Sequence, residues 1–226
     1  MYRYVFIDLD DTILDFGAAE HVAYSETLRQ LGIEPTEELM ALYRTINRSW
    51  WEKHERGEVD RDALLVLRHA ELFRALGIER DAEECERIYR GLLGVGHWFI
   101  EGAEALLRYL YEKGYALYIA SNGVADTQYS RIASAGIGKY FRDVFISEDL
   151  GSHKPEKAYF DRCFARIPGF APSEALLIGD SLTSDIRGGK NAGIAVCWFN
   201  PRGKTAPPEL KPDYEIRKLA ELETLL

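Results

Sequence analysis

Five short apolar runs constrain the fold of this chain more than any other feature of its sequence. They are residues 4–7, 115–120, 144–146, 175–178 and 195–199. Each run has about the length of a β-strand and is apolar on both faces, a pattern typical of parallel strands that helices cover on either side. The sequence therefore predicts an α/β fold built on a Rossmann-like, doubly wound parallel sheet.

Polar residues stand just after several of these runs. Asp8 and Asp10 follow the first run, Ser121 and Asn122 follow the second, and Asp180 follows the fourth. Open parallel sheets place ligands just beyond the carboxyl ends of their strands. We therefore expect these side chains to converge in one cleft.

The segment between the first two runs has helical periodicity. Helices are predicted over residues 18–31, 37–56, 61–76 and 82–93, followed by 103–113, after which helices and strands alternate. The pattern predicts that residues 1–15 and 99–226 form the Rossmann-like core. Residues 16–98 are predicted to form an inserted helical cap domain.

Composition narrows the possible partners. The 226 residues suffice for a core with an insertion, and a net charge of -9 argues against a general nucleic-acid-binding surface. Three cysteines without metal-ligand spacing are typical of reduced cytosolic thiols. No apolar stretch approaches the roughly 20 residues that span a bilayer. We expect a cytoplasmic protein without signal peptide or membrane anchor, whose partner is a small phosphorylated metabolite rather than a nucleic acid polymer or a membrane.

The acidic residues predict a metal site. Asp8 and Asp10 place two carboxylates one residue apart at a strand end. Neighbouring negative charges are costly unless a cation offsets them, and Mg²⁺ prefers carboxylates together with water and substrate phosphate. The predicted Mg²⁺ ligands are Asp8, Asp10, Asp180 and Asp185, with Asp185 binding either directly or through water.

Phosphoryl transfer is the chemistry that such a site supports. One carboxylate can attack phosphorus to form an aspartyl-phosphate, and another can move protons to the leaving oxygen and from the attacking water. The reaction also needs hydrogen-bond donors that bind the phosphoryl oxygens. Ser121, Asn122 and Lys154 are predicted to bind the substrate phosphate.

Four segments together resemble the motifs of the haloacid dehalogenase-like (HAD) hydrolase superfamily: Asp8-Leu9-Asp10-Asp11-Thr12, Ser121, Lys154, and Gly179-Asp180 with Asp185. The resemblance implies that Asp8 is the nucleophile and Asp10 the general acid/base. It also implies that Ser121 and Lys154 bind phosphate. Magnesium would be held by Asp8, the Asp10 carbonyl and Asp180. The helical insertion is similar to the C1 cap of the superfamily.

Asp10 also separates branches of the superfamily. The dehalogenase and phosphonatase branches typically lack an aspartate at this position, so its presence favours phosphate-ester hydrolysis. A phosphosugar mutase, which uses the same aspartyl-phosphate, stays open. So does a non-catalytic binding protein that has kept the magnesium pocket.

The substrate is suggested by a second resemblance. Residues 46–51 with Gly57, and residues 188–193 with 197–200, resemble the pyrimidine 5'-nucleotidase subfamily. Trp50 and Trp51 are candidate specificity residues, because a nucleobase can stack on an aromatic plane. Adjacent helix positions point about 100° apart, so core packing accounts for at least one of them. The resemblance implies a nucleoside 5'-monophosphate phosphatase. Sugar-phosphate, N-acylneuraminate 9-phosphate and phosphoglycolate phosphatases are the alternatives.

Overall fold

The computed structural model describes residues 2–226, which contain a six-stranded parallel sheet. The strands are β1 (Tyr4–Ile7), β2 (Ala116–Ser121), β3 (Asp143–Ile146), β4 (Ala175–Gly179), β5 (Ala195–Phe199) and β6 (Tyr214–Ile216), in the order β3-β2-β1-β4-β5-β6. The predicted doubly wound α/β fold is confirmed. The strand order reverses between β1 and β4, which is where open sheets of this kind form their ligand crevice.

Helices fill the connections between the strands. They are α1 (Phe16–Gln30), α2 (Glu37–Glu55), α3 (Arg61–Leu76), α4 (Ala82–Leu93), α5 (Ala103–Glu112), α6 (Ala125–Ala135), α7 (Ser147–Leu150), α8 (Lys157–Ala165), α9 (Arg187–Ala192) and α10 (Leu222–Leu225). A π-helical turn over Leu182–Ile186 precedes α9. In the described part of the chain, no helix combines the length and the apolar character needed to cross a membrane.

The side chains of β1 pack alternately against the helices on the two faces of the sheet. Val5 and Ile7 belong to one buried cluster with residues of α5, whereas Tyr4 and Phe6 belong to another with residues of α8. Successive side chains of a strand point to opposite faces, so an apolar strand requires a helical layer on each side. The central strand is therefore fully buried.

Register aligns the strand ends that carry the polar residues. Ile7 pairs with Ile119 of β2 on one side and with Ile178 of β4 on the other. The three strands are parallel, so their carboxyl ends lie at the same edge of the sheet. This alignment places Asp8 between the ends of β2 and β4.

The chain divides into two compact units. The first comprises the described residues up to Phe16 together with His97–Leu226, and the second is Gly17–Gly96. The second unit is helical, and three of its helices begin at side-chain caps: Thr36, Asp60 and Asp81 accept hydrogen bonds from backbone N–H groups in the first turns of α2, α3 and α4. Such caps explain why these helices start where they do.

A buried polar network ties the helices of the second unit together. The Arg68 guanidinium donates to Asn47 Oδ1 at 2.9 Å and to Glu86 Oε2 at 2.6 Å. Asn47 in turn donates to Glu20 Oε1 at 2.7 Å. His69 Nε2 lies 2.9 Å from the same Glu86 oxygen. All of these residues are buried, so each polar group depends on its partners within the network.

Most predicted elements coincide with the observed ones, and one strand was missed. The predicted helix over 61–76 and the predicted strand over 195–199 match α3 and β5 at both ends. The missed strand is β6, whose three residues, Tyr214–Ile216, contain the exposed Glu215. A strand this short, at the edge of the sheet and interrupted by a charge, carries no apolar run.

Candidate active site

Asp8 leaves the central strand and begins a tight loop. Its backbone N–H donates to the Ile178 carbonyl at 2.9 Å, which extends the pairing of β1 with β4 by one residue. Ile13 and Leu14 then donate to the Leu9 carbonyl at 3.0 and 2.9 Å, so the chain turns back at once. The loop therefore presents Asp10 close to Asp8.

The turn depends on an unusual backbone conformation at Asp11, whose φ is 55°. Aspartate enters this left-handed region more readily than most residues because its short side chain can hydrogen-bond locally. Asp11 Oδ1 accepts a hydrogen bond from the Phe16 N–H at 3.0 Å. This contact ties the loop to the start of α1.

Lys154 supplies a buried positive charge beside Asp8. Its Nζ donates to Asp8 Oδ1, to Asp185 Oδ1 and to the Ala120 carbonyl, each at 2.6 Å. Burial alone would lower the pKa of Lys154, but the Asp185 and Asp8 carboxylates outweigh it and hold that pKa above its ordinary value. Lys154 is therefore an ammonium ion that all three of its donors fix in place.

Asn122 holds the backbone of Lys154. The Asn122 side-chain amide donates to the Lys154 carbonyl at 2.8 Å and accepts from the Lys154 N–H at 2.8 Å. The predicted phosphate ligand thus makes a reciprocal pair of bonds with the main chain that carries the lysine.

The π-helical turn after β4 returns Asp185 to the strand end. Its Oδ2 accepts from the Ser181 N–H at 3.1 Å, and its Oδ1 accepts from Lys154. A Cβ added at Gly179 would lie 2.2 Å from Asp185 Oδ2. The glycine that ends β4 therefore makes room for this carboxylate.

Three carboxylates meet at the sheet edge. Asp8, Asp180 and Asp185 each offer an oxygen, and these oxygens all lie within 4.8 Å of one another. The indole N–H of Trp198 donates to the Asp180 carbonyl at 2.8 Å and fixes this residue from β5. An all-oxygen set of this kind suits a hard divalent cation such as Mg²⁺.

The charges of this cluster are not balanced by Lys154 alone. Burial raises the pKa of Asp8 well above its ordinary value, and Lys154 lowers it only in part. Desolvation first, and then the charges of Asp185 and Asp11, raise the pKa of Asp180 to about 8. A divalent cation would offset this excess of negative charge.

Asp10 contacts a different set of residues, on α6. Gln128 Nε2 donates to Asp10 Oδ2 at 2.6 Å and to Ser121 Oγ at 2.7 Å. Arg131 forms an ion pair with Asp10 Oδ1 and donates to Gln128 Oε1 at 3.1 Å. The sequence predictions did not include Gln128 or Arg131.

Ser121 is oriented as a donor by its neighbours. Its hydroxyl oxygen accepts from the Gly123 N–H at 3.1 Å as well as from Gln128. With both lone pairs engaged, the hydroxyl hydrogen is the group that can bind an incoming oxygen. The side chain itself is 1% exposed, so its orientation is fixed by packing.

A haloacid dehalogenase-like hydrolase family model matches residues 2–193. The chain belongs to the HAD-like hydrolase family. It is 44% identical to HAD-hydrolase YfnB of Bacillus subtilis, over 100% of this chain and 95% of that protein. It is 36% identical to pyrimidine 5'-nucleotidase PynA of Streptococcus pneumoniae, over 98% and 93% of the two chains. Pyrimidine 5'-nucleotidase YjjG of Escherichia coli is 28% identical, over 100% and 98%.

The fold of a solved HAD hydrolase agrees with that of this chain. The structure of Bacillus subtilis YfnB bound to magnesium superimposes with a TM-score of 0.95 and covers 100% of this chain and 98% of that chain. Magnesium is the cofactor of HAD hydrolases, as predicted, and the oxygen donors of Asp8, Asp180 and Asp185 fit that ion. The resemblance to this hydrolase family is therefore confirmed.

The two candidate specificity residues of this HAD hydrolase, Trp50 and Trp51, lie on α2 in the second unit, and both are partly buried. The Trp50 indole N–H donates to Glu71 Oε2 at 2.8 Å, and Lys53 Nζ lies 4.1 Å from the centroid of the Trp50 ring. Trp51 packs edge-on against His54 at 5.9 Å between ring centroids. Each ring thus has packing partners within its own unit.

Proposed function

We propose that this HAD hydrolase is a magnesium-dependent phosphomonoesterase that forms an aspartyl-phosphate on Asp8. One observation carries the proposal: a single buried ammonium group, Lys154 Nζ, joins Asp8 to Asp185 beside the carboxylate of Asp180. This arrangement gives a nucleophile, a cation for phosphate and a divalent metal site within one cluster. Phosphoryl transfer needs all three.

In the first step Asp8 attacks phosphorus. The contact from Lys154 occupies Oδ1 of Asp8, which leaves Oδ2 as the attacking oxygen. The Lys154 charge would then offset that of the phosphoryl group, and the Ser121 hydroxyl would donate to a phosphoryl oxygen, while Asn122 holds the lysine backbone in position. We therefore assign Asn122 to the orientation of Lys154.

Proton transfer belongs to Asp10. As the ester bond breaks, Asp10 gives a proton to the leaving alcohol, and it then takes one from the water that attacks the aspartyl-phosphate. Its side chain is 30% exposed and is therefore accessible to a substrate. A departing halide needs no proton, so Asp10 favours ester hydrolysis over dehalogenation.

Asp8, the Asp10 carbonyl and Asp180 would hold the magnesium ion, with Asp185 acting on it directly or through water. Bound Mg²⁺ would supply positive charge that polarises the phosphoryl oxygens and offsets the carboxylates. The buried Asp185 also keeps Lys154 in place through its Oδ1.

For the substrate we propose a nucleoside 5'-monophosphate, with the helical unit Gly17–Gly96 acting as the cap domain that selects it. Two full-length relatives carry the name pyrimidine 5'-nucleotidase. Partly buried aromatic rings at Trp50 and Trp51 offer surfaces on which a base can stack. Sugar phosphates are the second candidate, because the same rings can pack against a sugar.

The test is phosphate release from a panel of nucleoside monophosphates, sugar phosphates and phosphoglycolate, with Mg²⁺ and with a chelator. We expect turnover that requires Mg²⁺, favours pyrimidine monophosphates, and is lost by at least ~10³-fold in Asp8→Asn, which removes the nucleophile at almost constant volume. Preference for a sugar phosphate would overturn the substrate but keep the mechanism. Full activity in Asp8→Asn would overturn the mechanism.

A further inference from the structure

Two residues of α6 hold the carboxylate of Asp10 from both sides. Arg131 contacts Oδ1 and Gln128 contacts Oδ2. We propose that Arg131 and Gln128 are positioning residues that aim Asp10 at the leaving-group oxygen. This inference depends on the proposed phosphomonoesterase function, and it adds the residues that place its proton donor.

The geometry distinguishes the two oxygens of Asp10. Gln128 Nε2 lies 2.6 Å from Asp10 Oδ2 and 2.7 Å from Ser121 Oγ, so one nitrogen links the carboxylate to the proposed phosphate-binding hydroxyl. Oδ2 is therefore the oxygen on the phosphate side of the carboxylate. Arg131 binds Oδ1, and Gln128 occupies one lone pair of Oδ2, so the other lone pair of Oδ2 is the position that gives the proton to the departing oxygen and regains one from water.

Arg131 is rigid enough for this task. It is fully buried, donates to Gln128 Oε1 at 3.1 Å, and has its guanidinium carbon 5.8 Å from the centroid of the Phe16 ring. A buried guanidinium without its carboxylate partner is costly, so the ion pair restricts both side chains. The Gln128 amide is also satisfied, with its nitrogen and its oxygen each engaged.

Side-chain hydrogen bonds fix the position of α6, the helix that carries both residues. The Ala125 N–H at the start of α6 donates to Glu148 Oε2 at 2.8 Å, and the Tyr129 hydroxyl donates to Asp149 Oδ2 at 2.7 Å. These bonds tie α6 to α7 at the end of β3. A displaced helix would move Gln128 and Arg131 away from Asp10 together.

Gly123 provides independent support for a fitted arrangement. A Cβ added at this position would lie 2.4 Å from Gln128 Nε2. The glycine that follows Ser121 and Asn122 thus leaves the space that the Gln128 amide occupies. A larger residue at position 123 would displace the Gln128 amide from its contacts with Asp10 and Ser121.

The experiment compares kcat/KM for benzyl, phenyl and 4-nitrophenyl phosphate. These esters are similar in size, but their leaving groups differ in basicity. Benzyl alkoxide depends most on protonation by the enzyme and 4-nitrophenolate depends least. The value of kcat/KM depends only on the steps up to release of the first product, the alcohol. It therefore reports proton donation by Asp10 and excludes the later hydrolysis of the aspartyl-phosphate. We expect Arg131→Met and Gln128→Leu to lower kcat/KM at least ~10-fold more for benzyl than for 4-nitrophenyl phosphate.

Control variants separate positioning from a structural role. Arg131→Lys keeps the charge and should restore part of the benzyl phosphate activity. Asp10→Asn should show the same dependence on leaving group, and adding Arg131→Met to it should leave that dependence unchanged. If Arg131→Met fails to fold, the Gln128→Leu and Arg131→Lys variants carry the comparison.

An equal loss for all three esters would overturn the inference, because it would indicate phosphate binding or general destabilisation rather than proton donation. Unchanged kcat/KM in both α6 variants would overturn it as well. Neither result would affect the proposed hydrolase activity of the wild-type protein. Absence of wild-type turnover on every ester would overturn the proposed function and this inference with it.

Discussion

Asp185 shares its space with the end of β4 so closely that the chain requires glycine at position 179. An added Cβ would come within 2.2 Å of Asp185 Oδ2, well inside van der Waals contact. Asp185 cannot move easily, because Lys154 and the Ser181 N–H hold its two oxygens. The charge arrangement around Asp8 therefore depends on a residue that has no side chain.

We expect Gly179→Ala to lower the free energy of unfolding by about 1–3 kcal/mol, since a methyl group forced into a packed site costs this much. It should also reduce phosphate release, because Asp185 would shift away from Lys154. Urea unfolding and steady-state assays measure the two effects.

Gly91→Ala is the matched control for that substitution. A Cβ at Gly91 meets nothing within 4 Å, and the residue lies inside α4, where alanine stabilises a helix by up to ~1 kcal/mol relative to glycine. If Gly91→Ala and Gly179→Ala change stability and activity alike, the steric explanation is contradicted.

Among the helices, the second unit is held together by the buried polar network around Arg68, in which burial and hydrogen bonding fix the protonation states of His69 and Glu86. Tyr24 and Glu86 contact the two ring nitrogens of His69 at 3.0 and 2.9 Å. Burial lowers the pKa of His69 to about 4 from its ordinary value of 6.5. Burial raises the pKa of Glu86, but the hydrogen bond from His69 and the charge of Arg68 outweigh it and hold that pKa below its ordinary value. The folded unit therefore contains a neutral imidazole and an ionised carboxylate.

Acid should destabilise this unit in a defined pH window. Because the pKa of His69 is lower in the folded state, the unfolded chain binds its proton first, and stability falls as the pH drops from about 6.5 to about 4. Glu86 acts in the same direction on further acidification, since its folded-state pKa is also depressed. The contribution of His69 is on the order of 3 kcal/mol over the whole window.

Urea unfolding of the wild type and His69→Gln at pH 7 and pH 5 measures this effect. Glutamine has no proton to gain in this range, so the variant should lose less stability between the two pH values. Identical pH dependence in the two proteins would show that His69 does not carry the effect.

Element prediction succeeded where a local signal existed. Asp60 before α3 and Gly77 after it mark the ends of that helix, because one caps the N terminus and the other adopts a φ of 65°. β6 had no comparable signal. It is short and lies at the sheet edge, so its position is determined by pairing with β5 rather than by its own composition.

At the scale of the whole molecule, the sheet brings together residues that are far apart in sequence. Lys154 lies 146 residues from Asp8, yet their side chains are hydrogen-bonded. This grouping could be predicted because Asp8, Ser121 and Asp180 stand at the ends of parallel strands, and such strands end at one edge. Gln128 and Arg131 could not be predicted this way, since they lie on a helix, 118 and 121 residues from Asp10. The available signal was that Gln128 and Arg131 lie three residues apart, and therefore on one face of the helix that follows the Ser121 segment.

The proposed mechanism is tested most directly by locating the covalent phosphoryl group. Asp10→Asn should still react with 4-nitrophenyl phosphate, whose leaving group needs little protonation, but should hydrolyse the aspartyl-phosphate slowly because the general base is missing. After an acid quench, peptide mass spectrometry should locate one phosphoryl group on Asp8, and Asp8→Asn should carry none. Rapid release of 4-nitrophenol with no phosphoryl group on Asp8, or with one on another residue, would contradict the proposed role of Asp8 as the nucleophile.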